Sequence, residues 1–181
     1  SNRTLNIGTV ANEWTVSGGT QESLTPANVN AKNQSSYGSE PNMVKIAGQS
    51  MLYLQRHGRV VAQFSYDYMS DSFISNDITI LANHLTAESS FKDWTFQQTP
   101  AGVLACVRED GTMATCTFQP QHKVIGWYRF ITNGDFKAVT SIPGQSSRQD
   151  DIWVVVKRSI DGADKYYLEK IAPMPSTTTW L

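Results

Sequence analysis

The 181-residue sequence predicts an all-β chain, and three observations carry that prediction. An apolar run that enters a turn and leaves as a second apolar run occurs four times: LNIGTVANEWTV, MLYLQRHGRVVAQF, VLACVREDGTMATCTF and IWVVVKRSIDGADKYYLEKI. The centres of these hairpins are spaced by about 46, 53 and 51 residues. Further strand candidates fill the intervals, and from Phe91 onward the chain is short strands joined by turn residues such as Asn133-Gly134 and Pro143-Gly144. A period near about 50 residues with several strands in each period is the mark of a propeller built from four-stranded blades. The expected fold is therefore all-β and β-propeller-like, partial or whole, with about four antiparallel meander blades and one short helical insertion.

Taken in order, the first hairpin turns near Ala11-Asn12, and a long polar excursion from Ser17 to Asn42, rich in Ser, Asn and Pro, follows it. Loops of that length are usually functional or assembly contacts. The strand MVKIA leads to Ile46-Ala47-Gly48-Gln49-Ser50 and the second hairpin, which turns near His57-Gly58. The same Ile-x-Gly-Gln-Ser recurs at Ile142 before the fourth hairpin, so the two pieces read as equivalent turns, with glycine at the tight bend and Gln or Ser serving nearby backbone groups. SNDITILANHL predicts a helix from Asp77 to Leu85, with Ser75 and Asn76 as cap candidates, Asp77 at the positive end, and Ile78, Leu81 and Leu85 on one face. FKDWTFQQ precedes the third hairpin, and VIGWYRF and FKAVTSI follow it. In the fourth, Ile152 to Val156 is apolar at every position, which predicts a strand covered on both faces with Val154 and Val155 deeply buried. Arg56, Arg108 and Arg158 each stand just before a turn.

The two cysteines, Cys106 and Cys116, flank the turn at Asp110-Gly111. A two-residue type I′ loop there sets Cys106 opposite Thr115 and turns Cys116 to the other face, which excludes a disulfide; a loop longer by one residue puts both on one face. Buried, reduced thiols suit a reducing cytoplasm.

Composition excludes several function classes. Net charge is −1 and 17% of residues are charged, so no long-range field gathers nucleic acid or anionic membrane. No apolar run approaches the roughly 18 residues of a membrane span, and the start has no signal-peptide core. The expectation is one β-propeller-like domain over residues 1–181, a fragment of a longer parent, with a tail from Pro173 to Leu181. His57, His84 and His122 lack metal-ligand spacing. Asp67, Asp71 and Asp77, around Tyr66, Tyr68 and Phe73, do not have the spacing of an EF-hand and read as caps and backbone acceptors. Neither Glu13 with Asp67 nor Glu109 with Asp110 is placed across a pocket as an acid/base pair. The reading assigns no catalytic, cofactor or metal residue and no enzyme activity.

Several motifs in order then carry a resemblance: EW-x-x-SG at Glu13-Trp14 and Ser17-Gly18, LTPANVNAKNQSSYGSEP from Leu24, Gln63-Phe64-Ser65-Tyr66-Asp67, DITILANHLT from Asp77, and LACVREDGTM from Leu104. From Leu5 to about Pro173 the chain resembles the propeller region of tailed-bacteriophage tail proteins, in particular the nozzle or tail tubular protein B of short-tailed phages and related prophage proteins. The resemblance implies a non-enzymatic virion structural subunit made in the bacterial host cytoplasm and located in the virion tail. It implies a homo-oligomeric ring in the full-length parent, with other tail and portal subunits as partners, transient passage of DNA, no membrane anchor and no cofactor. Near-neutral charge suits a channel wall along which DNA slides. The alternative is a receptor- or carbohydrate-binding propeller domain of a phage tail protein. Against it, Trp14, Trp94, Trp127 and Trp153 do not share one repeated blade position. The expected assembly contacts are Thr25, Asn28, Asn33, Gln34 and Tyr37 in the excursion, with Tyr66, Asp67 and Tyr68 beyond the second hairpin. Deleting Thr25 to Ser39 in the full-length parent is expected to leave the fold intact but to block assembly of DNA-retaining, infectious particles.

Overall fold

The computed structural model describes residues 4–19, 23–144 and 149–172. The chain is all-β, with four antiparallel sheets in which every strand pairs with its sequence neighbour. It divides into two compact units, Ser1–Asn83 and His84–Leu181.

In the first unit, β1 (Thr4–Gly8), β2 (Glu13–Ser17) and β3 (Asn30–Ser35) form a three-stranded meander. The four-stranded meander β4 (Lys45–Ala47), β5 (Ser50–Leu54), β6 (Val61–Asp67) and β7 (Ser72–Asp77) follows. The polar excursion is thus only partly irregular, because its centre supplies β3. Asn33 lies opposite Trp14 there, and Ser39 bridges Gln55. Polar side chains suit an outer strand that leaves one backbone edge in solvent. The apolar core of this unit includes Tyr53, Ala62 and Phe64, with Met51 and Phe73 packed on them.

In the second unit, β8 (Phe91–Gln97), β9 (Val103–Arg108), β10 (Met113–Gln119) and β11 (Val124–Phe130) form a four-stranded meander. The strands β12 (Asp135–Pro143), β13 (Asp150–Ile160) and β14 (Ala163–Lys170) form a three-stranded one. Ala105, Val107 and Met113 of the first pack against Phe136, Val139, Ile152, Val154 and Val156 of the second. Every second residue of β13 points inward, as the two-residue period of a strand dictates. Val155 falls on the opposite face and is half-buried, which corrects the expectation that it is as deep as Val154. The strand buried at all positions is β9, VLACVR.

Both Ile-x-Gly-Gln-Ser pieces lead from the first to the second strand of a meander, β4 to β5 and β12 to β13, so the sequence repeat is positional. Gln145 and Ser146 of the second copy lie outside the described residues. In the first, the Ser50 hydroxyl accepts from Gln63 Nε2 at 2.7 Å, so a side chain rather than the backbone is its partner.

Two local expectations are corrected. Ser75, Asn76 and Asp77 belong to β7, and the helical segment is a 3₁₀ turn over Ile80–Ala82 running into α1 (Asn83–Thr86). The Asp77 carboxylate accepts from Thr79 N and Oγ1, both at 2.6 Å, and holds the exit from the strand. Ile78, Ala82 and Leu85 are buried while Leu81 is 91% exposed, because the tighter winding rotates the buried stripe away from it.

The third hairpin has a three-residue loop, Glu109–Gly111. Arg108 N bonds Thr112 O at 2.9 Å, and Gly111, with φ of 82°, takes the left-handed position that closes such loops. Cys106 therefore faces Ala114 and Cys116 faces Leu104, so both thiols lie on one face, two positions apart. Neither is in a disulfide, and both are buried. A diagonal pair on adjacent strands is separated by roughly 7–8 Å, beyond disulfide reach. Burial pushes the Cys116 thiol up to about 12.

Candidate assembly surface

The turn between β6 and β7 is the most exposed aromatic feature of the first unit. Asp67 opens it and Ser72 closes it. The Asp67 carboxylate accepts from Ser70 Oγ at 2.8 Å and Ser70 N at 3.0 Å, and these bonds hold its pKa below the usual aspartate range. Ser70 Oγ also lies 2.8 Å from Ser72 Oγ. The Tyr66 hydroxyl donates to Asp71, and that bond raises the phenol's pKa. The Tyr66 ring meets Tyr68 edge-on at 5.1 Å and Phe73 at 5.5 Å, and Phe73 stacks on Phe64 at 5.1 Å. The turn is in this way tied to the apolar core from below. Above that base, Tyr68 and Met69 are 90% and 96% exposed.

The excursion residues have two different fates. Asn28 Oδ1 accepts from Thr25 N at 2.7 Å and from Thr25 Oγ1 at 2.9 Å, and Asn28 Nδ2 donates to Ser23 O at 3.0 Å. Thr25 and Asn28 thus close a small exposed turn on themselves. Gln34 instead donates from Nε2 to Thr15 Oγ1 at 2.7 Å and accepts from Phe73 N at 3.1 Å, tying β3 to the strand that carries the aromatic turn. Tyr37 is exposed. Of the eight expected contacts, Tyr66, Asp67 and Tyr68 come together, Gln34 supports their scaffold, and Thr25 with Asn28 form a separate turn. Ser35 and Ser39 donate to the two oxygens of buried Glu13 at 2.5 and 2.9 Å. Removing Thr25 to Ser39 would delete β3 and strip that carboxylate of both hydroxyls, so the segment is part of the fold rather than dispensable.

A concave feature that sequence reading missed lies beside β1. A cleft of about 500 Å³ is lined by Leu5, Ile7, Trp14, Ile46, Met51 and Tyr53, among others, with Asn6 and Glu13 as polar members. Burial pushes the Tyr53 phenol up to about 12, although its hydroxyl lies 2.7 Å from Ser75 Oγ. Asn6 Oδ1 is buried without a hydrogen-bond partner. The alternation of Leu5 and Ile7 in LNIG was the available signal, but it reads equally as an ordinary core face. In the second unit a smaller cleft of about 220 Å³ runs beneath Tyr128 and Phe130 to Thr115, which is 2% exposed and whose Oγ1 has no partner.

These arrangements suit binding of apolar surface more than bond-making, because the polar groups of the aromatic turn are spent on holding the loop and Glu13 is already doubly bonded. Among the described residues no three His, Cys, Asp or Glu side chains gather to hold a metal ion, and no helix is long and apolar enough to cross a membrane. The chain matches no protein family model, and comparison with curated proteins finds no similar sequence.

Proposed function

We propose that this chain is a non-enzymatic structural part of a tailed-phage tail, a nozzle-like component that docks to neighbouring tail subunits in a ring through which DNA passes. The observation that supports this reading is the rigid, exposed aromatic turn from Tyr66 to Phe73. An apolar tip such as Tyr68-Met69, held in place by hydrogen bonds before any partner arrives, loses little conformational freedom on docking. The meander sheets below it supply a stiff platform. The order of sequence motifs supports the choice of a tail protein over other scaffolds.

The test is a phage or prophage carrying Tyr68→Ser with Met69→Ser in the full-length parent. The expected outcome is normal accumulation of the protein with loss of DNA-retaining, infectious particles. The alternative, receptor or carbohydrate binding, is favoured by the cleft at Trp14 with its unpartnered Asn6 oxygen. Normal tails that lose only adsorption to cells establish that alternative and overturn the ring reading.

A further inference from the structure

Charged side chains are almost never fully buried unless an opposite charge accompanies them. Glu13, on β2, is 4% exposed, and among the described residues no lysine, arginine or histidine forms an ion pair with it. Its hydrogen bonds come from neutral hydroxyls, Ser35 on one oxygen and Ser39 on the other. The sequence makes room for the second of these: Gly8 faces Glu13 across the strand pair, and a Cβ at Gly8 would lie 2.6 Å from Ser39 Oγ. Hydroxyls orient a carboxylate without cancelling its charge, and an ionised carboxylate has room for about four donors. Glu13 is thus fixed in place, half-saturated, in the wall of the cleft beside β1.

The register of the strands shows what shares that cleft. Asn6 pairs with Thr15 and Gly8 with Glu13, so Asn6 and Glu13 lie diagonally on one face of the β1–β2 pair, roughly 7–8 Å apart. On the β4–β6 meander, Ile46 pairs with Met51 and Met51 with Phe64, so these and Tyr53 share one face. Asn6 Nδ2 reaches the Met51 thioether at 3.5 Å, which sets the two faces against each other, while Asn6 Oδ1 is buried with no donor. Burial and, after it, the Glu13 charge raise the pKa of the Tyr53 phenol, so the carboxylate lies within electrostatic reach of that ring. Glu40 adds a second carboxylate, and none of the described lining residues is a lysine, arginine or histidine. Aromatic faces and carboxylates attract cations, and an N–H brought by a ligand satisfies a buried acceptor. The whole chain carries a net charge of only −1, so this attraction is local rather than a general field. A cleft of about 500 Å³ has the size of a small-molecule site. We propose that it binds a small organic cation, an ammonium group on an apolar body, with the ammonium donating to Glu13 and Asn6 Oδ1 and the body lying against Met51 and Tyr53. This site goes beyond the tail reading and does not rest on it, since the Tyr68-Met69 tip carries that reading.

Tryptamine, cationic at neutral pH, and tryptophol, which has a hydroxyl in place of the ammonium, separate charge from apolar contact. Titrated into the 181-residue chain and followed by NMR, tryptamine should bind with a Kd on the order of 0.1–1 mM and move the amide signals of residues 4–8 and 50–54. Tryptophol should bind at least about tenfold more weakly. Glu13→Gln keeps an acceptor for a serine hydroxyl but removes the charge, and it should lower the affinity for tryptamine to that for tryptophol. Because that change lies in the interior, a second pair of variants tests the site from its rim. Ile46 is 64% exposed, so its replacement leaves the fold in place. Ile46→Lys should weaken tryptamine binding about threefold and Ile46→Glu should tighten it by about the same factor, with tryptophol unmoved. Circular dichroism shows which variants keep their strands. Equal affinity for the two compounds, signals that move elsewhere, or tryptamine binding indifferent to the charge at position 46 overturns the proposal. So does a folded Glu13→Gln chain that binds tryptamine as before, or no binding of tryptamine up to about 10 mM.

Discussion

The dipeptide Asp-Gly closes two hairpins of the second unit, and it closes them differently. At Asp161-Gly162 the loop is two residues long. Ile160 pairs with Ala163, and the two loop residues have φ of 55° and 75°, as a type I′ turn requires. At Asp110-Gly111 the loop takes in Glu109 as well, and the register of both arms shifts by one. The difference lies in what touches each turn. Glu109 N bonds Ser90 O at 3.0 Å, Asp110 N bonds Ser89 Oγ at 3.1 Å, and Phe136 N donates to Gly111 O at 2.8 Å. The Asp110 carboxylate accepts from Thr112 N and Oγ1 and pairs with Arg108 at 2.8 Å. Although burial acts to raise its pKa, these bonds and the charges of Arg108 and Arg129 outweigh it and hold the group below the usual aspartate range. Where nothing else reaches the turn, the local preference of Asp-Gly decides its geometry. Where neighbours supply several bonds, they decide it.

The sharpest way to break this comparison is Gly111→Ala. Its Cβ would lie 2.7 Å from Asp135 Cβ, on a backbone with φ of 82°. Left-handed strain and overpacking together should cost about 2–4 kcal/mol, read as a lowered urea midpoint. The arginines before the two turns come next. Arg108 is 5% exposed, donates to Thr112 Oγ1 at 2.7 Å and pairs with Asp110, whereas Arg158 forms a two-pronged bond to half-exposed Glu169 at 2.8 and 2.9 Å. In the same unfolding measurement Arg108→Ala should lose about 2 kcal/mol and Arg158→Ala about 0.5–1 kcal/mol. Equal losses would mean that the two sites are equivalent after all. The open turn is probed by Gly162→Ala and, for the smallest effect, by Gly162→Asn. The added Cβ meets nothing, so only the left-handed backbone opposes it, at about 1 kcal/mol, and Gly162→Asn should cost less because asparagine tolerates that conformation.

The candidate surface was legible to a similar degree. Tyr66, Asp67 and Tyr68 stood out as an aromatic and acidic cluster, and they do share one turn. Gln34 was grouped with them only by lying in a polar stretch, and its bond to Phe73 N is a contact between sheets that spacing along the chain does not contain. The cleft beside Trp14 was missed for the same reason. Leu5, Ile46 and Met51 belong to three different strands, and their shared concavity exists only once those strands are placed.

Apolar periodicity and turn chemistry were enough to define this protein as a succession of antiparallel meanders, to locate its hairpins and to pick out IWVVV as an inner strand. These are local properties, set by backbone sterics and by the two-residue alternation of side chains, and they act wherever the chain happens to lie. Which face each cysteine takes, that the polar excursion contributes β3, where the helical turn begins and why Val155 is shallower than Val154 were decided by tertiary structure. Each depends on a one-residue choice of register or on a hydrogen bond between residues far apart in sequence. Because adjacent residues of a strand point to opposite faces, a shift of one position reverses every side chain on it, and only the competing contacts of the packed sheets can select between the two.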